Sequence, residues 1–460
     1  MPKFAKELQY LFKKNTVPTS LLSPKRDVRY LRNIIIFGAV IAFLLLQMLV
    51  MELLKNSMTV SEWWTITISQ FFVIFAGHIS ALFPFSIFEV LVILAIMFAI
   101  RGVFRIIKKL VIACKLSKAK RIIIPENMTT EEQQKQYRHK VRLQNFYPFT
   151  KSLAILLIIL FAALNWYNVA AGFSHSRRPL HYGIPMSTTT HLGNDVTRIA
   201  THFFDDFAYV SSLMERDENG NTIIPYTRNQ VKRLVENEFR RLRGNPYFFQ
   251  FSPRLKSVQN SWWLSSTGIA GIAFLPTAEP HINWMPHPTS LPMVMAHEMA
   301  HALGVMREHD ADLVAWHILL TSENSFLRYS AYLNSIGWME NAVFIGNNRN
   351  HELANEFWQM FPQEARNERR NIWNWWQEYR SPFAWFDDAL RWAGTFFNDL
   401  FLRCSGVEDG VGSYTPPPSE SEPEEIEDEE TGEVTIIYHP TFNTVQNLFF
   451  AIYEGRFLLG

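Results

Sequence analysis

Apolar residues fall into two regimes along this chain: uninterrupted runs before residue 172 and helix-spaced patterns after it. Residues 33–51, NIIIFGAVIAFLLLQMLVM, carry no charge over 19 positions, about the length that crosses a ~30 Å hydrocarbon layer as a helix. A first membrane helix is expected at 33–53. A second apolar zone, Trp63 to Ile100, is too long for one crossing and is interrupted by Pro84 and Glu89. If both halves crossed, the stretch from Arg101 to Lys151, with thirteen Lys/Arg and three Glu, would lie outside, against the positive-inside rule. One crossing at 85–106 is therefore expected, followed by a third at 152–172. Residues 54–84 are expected to be extracytoplasmic, with 60–83 at the outer interface or re-entering. Glu89, one turn inside the second helix, reads as a carboxylate at that interface.

Beyond residue 172 the runs THLGNDVTRIATHFFDDFAYVSSL and RNQVKRLVENEFRRL space apolar side chains at three and four, which predicts two amphipathic helices separated by a turn at ENGNTIIP. Residues 262–284 are small, β-branched and broken by Gly and Pro, a short extended pair leading into the next helix. Helical periodicity returns over 325–403, and the Trp and Phe recurring through NIWNWWQEYRSPFAWFDDALRWAGTFF are expected in the core. Nine acidic residues in the fourteen positions from Glu420 to Glu433 mark 415–436 as a solvated, disordered linker. It lacks the Gly turn and spaced oxygens of a calcium loop. The final segment, 437–460, reads as a helix docking back on the domain.

Net charge is only +1, but basic residues crowd the first third and acidic ones the end. Lys3, Lys6, Lys13, Lys14, Lys25, Arg26, Arg29 and Arg32 precede the first apolar run, far more than the n-region of a signal peptide. The expected topology is thus a cytoplasmic N-terminus at 1–32, a basic cytoplasmic loop at 107–151 and an extracytoplasmic domain at 173–414, in a multi-pass protein of the cytoplasmic membrane. No overall basic footprint points to nucleic acid. Cys114 and Cys404 match no metal-ligand spacing and fall on opposite sides of this topology, which excludes a disulfide framework and a Cys-zinc site.

The chemistry lies in VMAHEMAHALGVM, an HExxH motif formed by His297, Glu298, Met299, Ala300 and His301. On a helix the two histidines share a face about 6 Å apart and can reach one Zn²⁺. Glu298 can act as general base on a zinc-bound water. A catalytic zinc needs a third protein ligand and one open position. On a straight helix Glu308 would lie about 10 Å further along the axis than His301. Gly304 is where the helix can end in a left-handed turn and fold the chain back. HExxHxxG is the turn of metzincins, but Arg307 stands where they place a third histidine, and Glu308 is next in line, with His309 and Asp310 as alternatives. The ExxAD spacing from Glu308 to Asp312 resembles gluzincins, in which the Glu binds zinc and the later acid orients a ligand histidine, making Asp312 the outer partner.

The chain resembles an uncharacterised family of bacterial membrane proteins, a domain of unknown function bearing HExxH and related to zinc peptidases. The likeness rests on Pro84, Phe85 and Ser86 at the start of the second helix, Asn165 to Asn168 leaving the third, GIAGIAFLPTAEPHIN at 268–283, REHDAD from Arg307 to Asp312, SFLRYSAYLNSI and GVEDGVGSY. Asp312 stands where Asn is usual, and the acidic linker looks like an insertion. The resemblance implies a metallopeptidase fold and supplies no substrate.

The expected fold is mainly α: three transmembrane helices followed by a predominantly helical, zincin-like metallopeptidase domain with a small β element. The expected function is a membrane-anchored zinc metallopeptidase cleaving peptide or protein substrates of the cell envelope. The alternative is a non-catalytic zinc-containing binding or sensor protein, and Glu298 discriminates, since a structural zinc needs no such carboxylate. His281, His287, Tyr329, Tyr332 and Tyr414 are candidate oxyanion donors. Residues 267–275 are the candidate edge strand for pairing with an extended substrate.

Overall fold

The computed structural model describes residues 29–118, 129–183, 193–259, 261–266, 269–347, 350–378, 384–404, 423–427, 434–438 and 444–453. The fold is mostly helical with few strands. It divides into two compact units, Met1–Leu53 with Val90–Tyr167, and Leu54–Glu89 with Asn168–Gly460. The first helices in chain order are α1 (Arg29–Lys55), α2 (Met58–Trp64), α3 (Gln70–Ser80), α4 (Ile87–Lys118) and α5 (Glu131–Ala170).

Among the described residues α1, α4 and α5 are the three helices long and apolar enough to cross a membrane. They turn Ile35, Phe43, Phe98, Ile100 and Ile159 outward, which suits hydrocarbon rather than water. α4 and α5 run past the apolar spans into the basic stretches because Lys, Arg and Gln are good helix formers. Within this first unit the Asn33 amide donates to the Tyr147 hydroxyl at 2.8 Å, and the Asn165 amide donates to the Leu44 carbonyl at 3.2 Å. The N-terminal basic stretch up to residue 28 lies outside the described residues.

In the second unit α2 and α3 are joined by a π-helical turn, Thr65–Ser69. Residues 58–80 pack one face against the rest of this unit. Trp64 stacks on Phe173 with ring centroids 4.4 Å apart, and a Cβ on Gly77 would stand 2.6 Å from the Phe251 ring. The face is made of Ser61, Thr65, Ser69, Val73, Gly77 and Ser80, small enough to allow that approach. The Lys256 ammonium donates to the Ser80 carbonyl at 3.0 Å and to the Phe83 carbonyl.

The chain continues through α6 (Gly193–Ser212), α7 (Arg228–Glu238), β1 (Lys256–Ser257), β2 (Gly271–Phe274), β3 (Glu279–Ile282), α8 (Leu291–Ala302), α9 (Glu308–Leu320) and α10 (Ser325–Gly346). A capping box opens α7, with the Thr227 hydroxyl accepting the Gln230 N–H and the Gln230 side chain accepting the Thr227 N–H. The described strands order as β1-β3-β2, β1 parallel and β2 antiparallel to β3, with Gly271 opposite Ile282 and Phe274 opposite Glu279. β2 is therefore an edge. The extended pair expected at 262–284 starts later, because Ser261–Ser266 is a short helix. The Ser261 hydroxyl fixes it by donating to the Val258 carbonyl and accepting the Trp284 N–H at 3.1 Å.

α11 (His351–Met360), α12 (Gln363–Glu378), α13 (Ala384–Cys404), β4 (Pro423–Glu427), β5 (Val434–Tyr438) and α14 (Thr444–Tyr453) complete the chain. α14 packs on α9 and α6, and Trp316 is buried between Trp338 and Phe449, each at 4.9 Å. Among the described aromatics of the stripe expected in the core, Trp373, Trp392 and Phe396 are exposed, while Trp375 is half-buried and donates to the Met285 carbonyl. Helical spacing creates such a stripe, but Phe203, Phe207, Trp316 and Phe326 already fill the interior. The linker expected to be disordered contains an antiparallel β4–β5 pair, formed where VTIIY supplies β-favouring residues. The rest of the linker lies outside the described residues.

Candidate metal site

α8 packs on β2 and β3 and on α9 and α10. His297 and His301, one turn apart, share a face of it, their rings perpendicular with centroids 4.5 Å apart. The helix then stops in a Schellman turn. Gly304 takes φ +90°, its N–H reaches the His301 carbonyl at 2.9 Å, and the Val305 N–H reaches the Ala300 carbonyl at 3.2 Å. That reversal puts Glu308 at the first position of α9. Its Oε2 returns to 3.1 Å from His297 Nε2 and 3.5 Å from His301 Nε2. The ligand atoms of His297, His301 and Glu308 lie within 4.8 Å of one another and could hold a metal ion.

The hydrogen bonds around this trio test that fit. A carbonyl only accepts, so His301 Nδ1–H donates to the Val305 carbonyl at 2.6 Å, and the Nε2 of the neutral ring is a bare lone pair. His297 Nδ1–H likewise donates to Asp312 Oδ1 at 2.8 Å. Two Nε2 lone pairs therefore face each other at 2.9 Å, beside a carboxylate oxygen. Such a set repels itself unless it shares a proton or a cation. A metal ion held here would meet both histidines through Nε2, while Asp312 and the Val305 carbonyl fix their orientation.

The electrostatics agree. Burial opposes the imidazolium of His297, yet Asp312 and Glu308 outweigh it and hold its pKa well above the usual value. His301 is raised by Glu308 against burial and against His297. Burial pushes Glu308 up, but His301 and His297 overrule it and drive its pKa below the carboxylate range. The pocket draws positive charge. Glu298 lies against the sheet, where a Cβ on Gly271 would stand 2.6 Å from its Cγ and Oε1. Gly271 thus leaves the room this carboxylate occupies, and burial raises the Glu298 pKa.

The alternatives for third ligand are turned to other tasks. His309 meets Trp338 edge-on at 5.7 Å. Asp310 is buried and accepts the Leu180 N–H at 3.1 Å, with burial pushing its pKa up to about 6. Of the oxyanion candidates, His281 is fully enclosed, Nδ1 against the Ile272 carbonyl and Nε2 against the Ser86 hydroxyl. Tyr329 lies in the core, its hydroxyl accepting from Arg216 and Thr222. Tyr332 is buried against Phe203 and Phe207. His287 pairs with the Thr289 hydroxyl at 2.7 Å. Tyr414 lies outside the described residues.

Sequence reasoning missed the residues behind the turn. The Arg177 guanidinium, fully buried, donates to the Gly304 carbonyl at 3.3 Å and to both oxygens of Glu62, at 3.1 and 2.6 Å, while stacking on Tyr247. His175 is buried close enough to His301 and Glu308 to feel both charges. Burial first, then His301, lower its pKa to about 3. No local signal marks either residue, since each is more than a hundred positions from the motif.

The chain belongs to the family described as "Protein of unknown function (DUF3810)", which matches residues 64–416. No curated protein and no solved structure matches it.

Proposed function

We propose that this member of the family is a membrane-anchored zinc metallopeptidase acting on the extracytoplasmic side. The observation that carries the reading is the convergence of His297 Nε2, His301 Nε2 and Glu308 Oε2 on one point, with Glu298 beside it. Bound zinc would supply Lewis acidity toward water and a substrate carbonyl. Glu298, its pKa raised by burial, takes the proton from the attacking water and passes it to the departing amine. β2, an edge among the described strands and next to α8, would offer backbone N–H and C=O groups to an extended peptide. The Lys/Arg excess between Arg101 and Lys151 supports an extracytoplasmic catalytic domain.

The test pairs metal content with turnover in the purified full chain. Glu298→Gln keeps zinc but loses cleavage by roughly 10²- to 10⁴-fold, read from new peptide termini in membrane and secreted fractions compared with wild type. Equal terminus profiles at equal zinc content would replace the peptidase with a zinc-holding binding or sensor protein.

A further inference from the structure

The helices α2 and α3 have two faces of opposite fate. One, made of Ser61, Thr65, Ser69, Val73, Gly77 and Ser80, is buried in the domain. The other carries Trp63, Phe71, Phe75, Ile79 and Leu82, with Phe71 66%, Phe75 63% and Leu82 79% exposed. Positions 71, 75 and 79 follow one another at helical spacing along one side of α3, and Leu82 stands in the turn that follows it. From Trp63 to Phe88 the sequence contains no Asp, Glu, Lys or Arg. A contiguous aromatic and aliphatic patch of this kind is unfavourable in water and marks an interaction surface.

Chain connectivity identifies the occupant. α1, a candidate membrane span, closes at Lys55, and α2 opens at Met58; α3 closes at Ser80, and α4, the next candidate span, opens at Ile87. Both ends of the segment are thus tied to bilayer-crossing helices by a few residues, each reaching at most ~3.6 Å. Trp63 near one end and the absence of charge fit the headgroup level, where amphipathic aromatic rings collect.

We propose that the outer face of α2 and α3 is seated in the headgroup–acyl boundary of a lipid bilayer, so that these helices join lipid on one side to the β-sheet domain on the other. The seating is independent of whether the metal site turns over substrate. Its partner is lipid, not a second protein.

The experiment uses the full chain in lipid nanodiscs with Cys114→Ser and Cys404→Ser. Nitroxides are attached through Phe71→Cys, Phe75→Cys and Leu82→Cys, one at a time, with Tyr209→Cys on the exposed face of α6 as the aqueous reference. Collisional relaxation by dissolved oxygen should exceed that by a water-soluble nickel chelate several-fold at 71, 75 and 82, and the order should reverse at 209. Chelate accessibility at the three positions equal to that at 209 would place the face in water and overturn the proposal. Shielding from both reagents would also overturn it, by showing that protein covers the stripe.

Discussion

Two buried clusters of histidine and carboxylate lie on neighbouring elements of the same domain, and they differ in how their polar atoms are satisfied. Around His281 on β3 every pairing closes within the protein. Its Nδ1 meets the Ile272 carbonyl at 2.9 Å, its Nε2 meets the Ser86 hydroxyl at 2.8 Å, and the Glu279 carboxylate accepts the N–H groups of Ile87 and Phe88 that open α4. Around His297 and His301 the outer nitrogens are satisfied, while the inner ones converge on each other and on Glu308. Residue types alone do not separate a structural histidine from a metal ligand. The direction of each donor does.

The comparison breaks most sharply on ligand removal. His297→Ala, His301→Ala and Glu308→Ala should each lose zinc, beyond the ~10- to 100-fold loss typical of outer partners, whereas His281→Ala should keep it. Metal analysis after dialysis reads the difference. Zinc retained by Glu308→Ala, or lost by His281→Ala, would erase the distinction. A smaller effect is expected of Asp312→Asn, which keeps a side chain of the same shape but weakens the acceptor on His297 Nδ1. Zinc affinity should fall about tenfold, measured by competition with a chromophoric chelator; an unchanged affinity would show that His297 needs no charged partner. The smallest effect belongs to the closed cluster. Ser86→Ala removes the partner of His281 Nε2 and the acceptor of the Glu89 N–H, and should cost about 1–3 kcal/mol in stability with zinc unaltered. Denaturant unfolding of the domain alongside metal content checks both halves.

What could be read from the sequence was local. The HExxH spacing fixes which helix face carries the histidines, and Gly304 marks a position where only a residue tolerant of φ +90° ends the helix without strain. Together they are enough to bring Glu308 back rather than leave it along the axis. Apolar runs likewise identify three membrane-length helices. The misreadings concern packing between segments distant in sequence. Trp373, Trp392 and Phe396 have core-like spacing but find no interior to enter, and the helical pattern of residues 58–80 does not say that Phe251 and Phe173 receive one face of it. Arg177 and His175 reach the site through tertiary contacts that no periodicity encodes.

That the second unit is written in two pieces has a consequence for its synthesis. At about 5–20 residues per second, α2 and α3 leave the ribosome on the order of tens of seconds before α8 exists. Trp64 first waits for Phe173 and Glu62 for Arg177, roughly a hundred residues behind α3, and the Gly77 slot waits longer still for Phe251. The early helices must therefore wait in a half-built state, and Arg177, which grips Glu62 on the early side and the Gly304 carbonyl on the late side, ties the metal turn to them once α8 has been made.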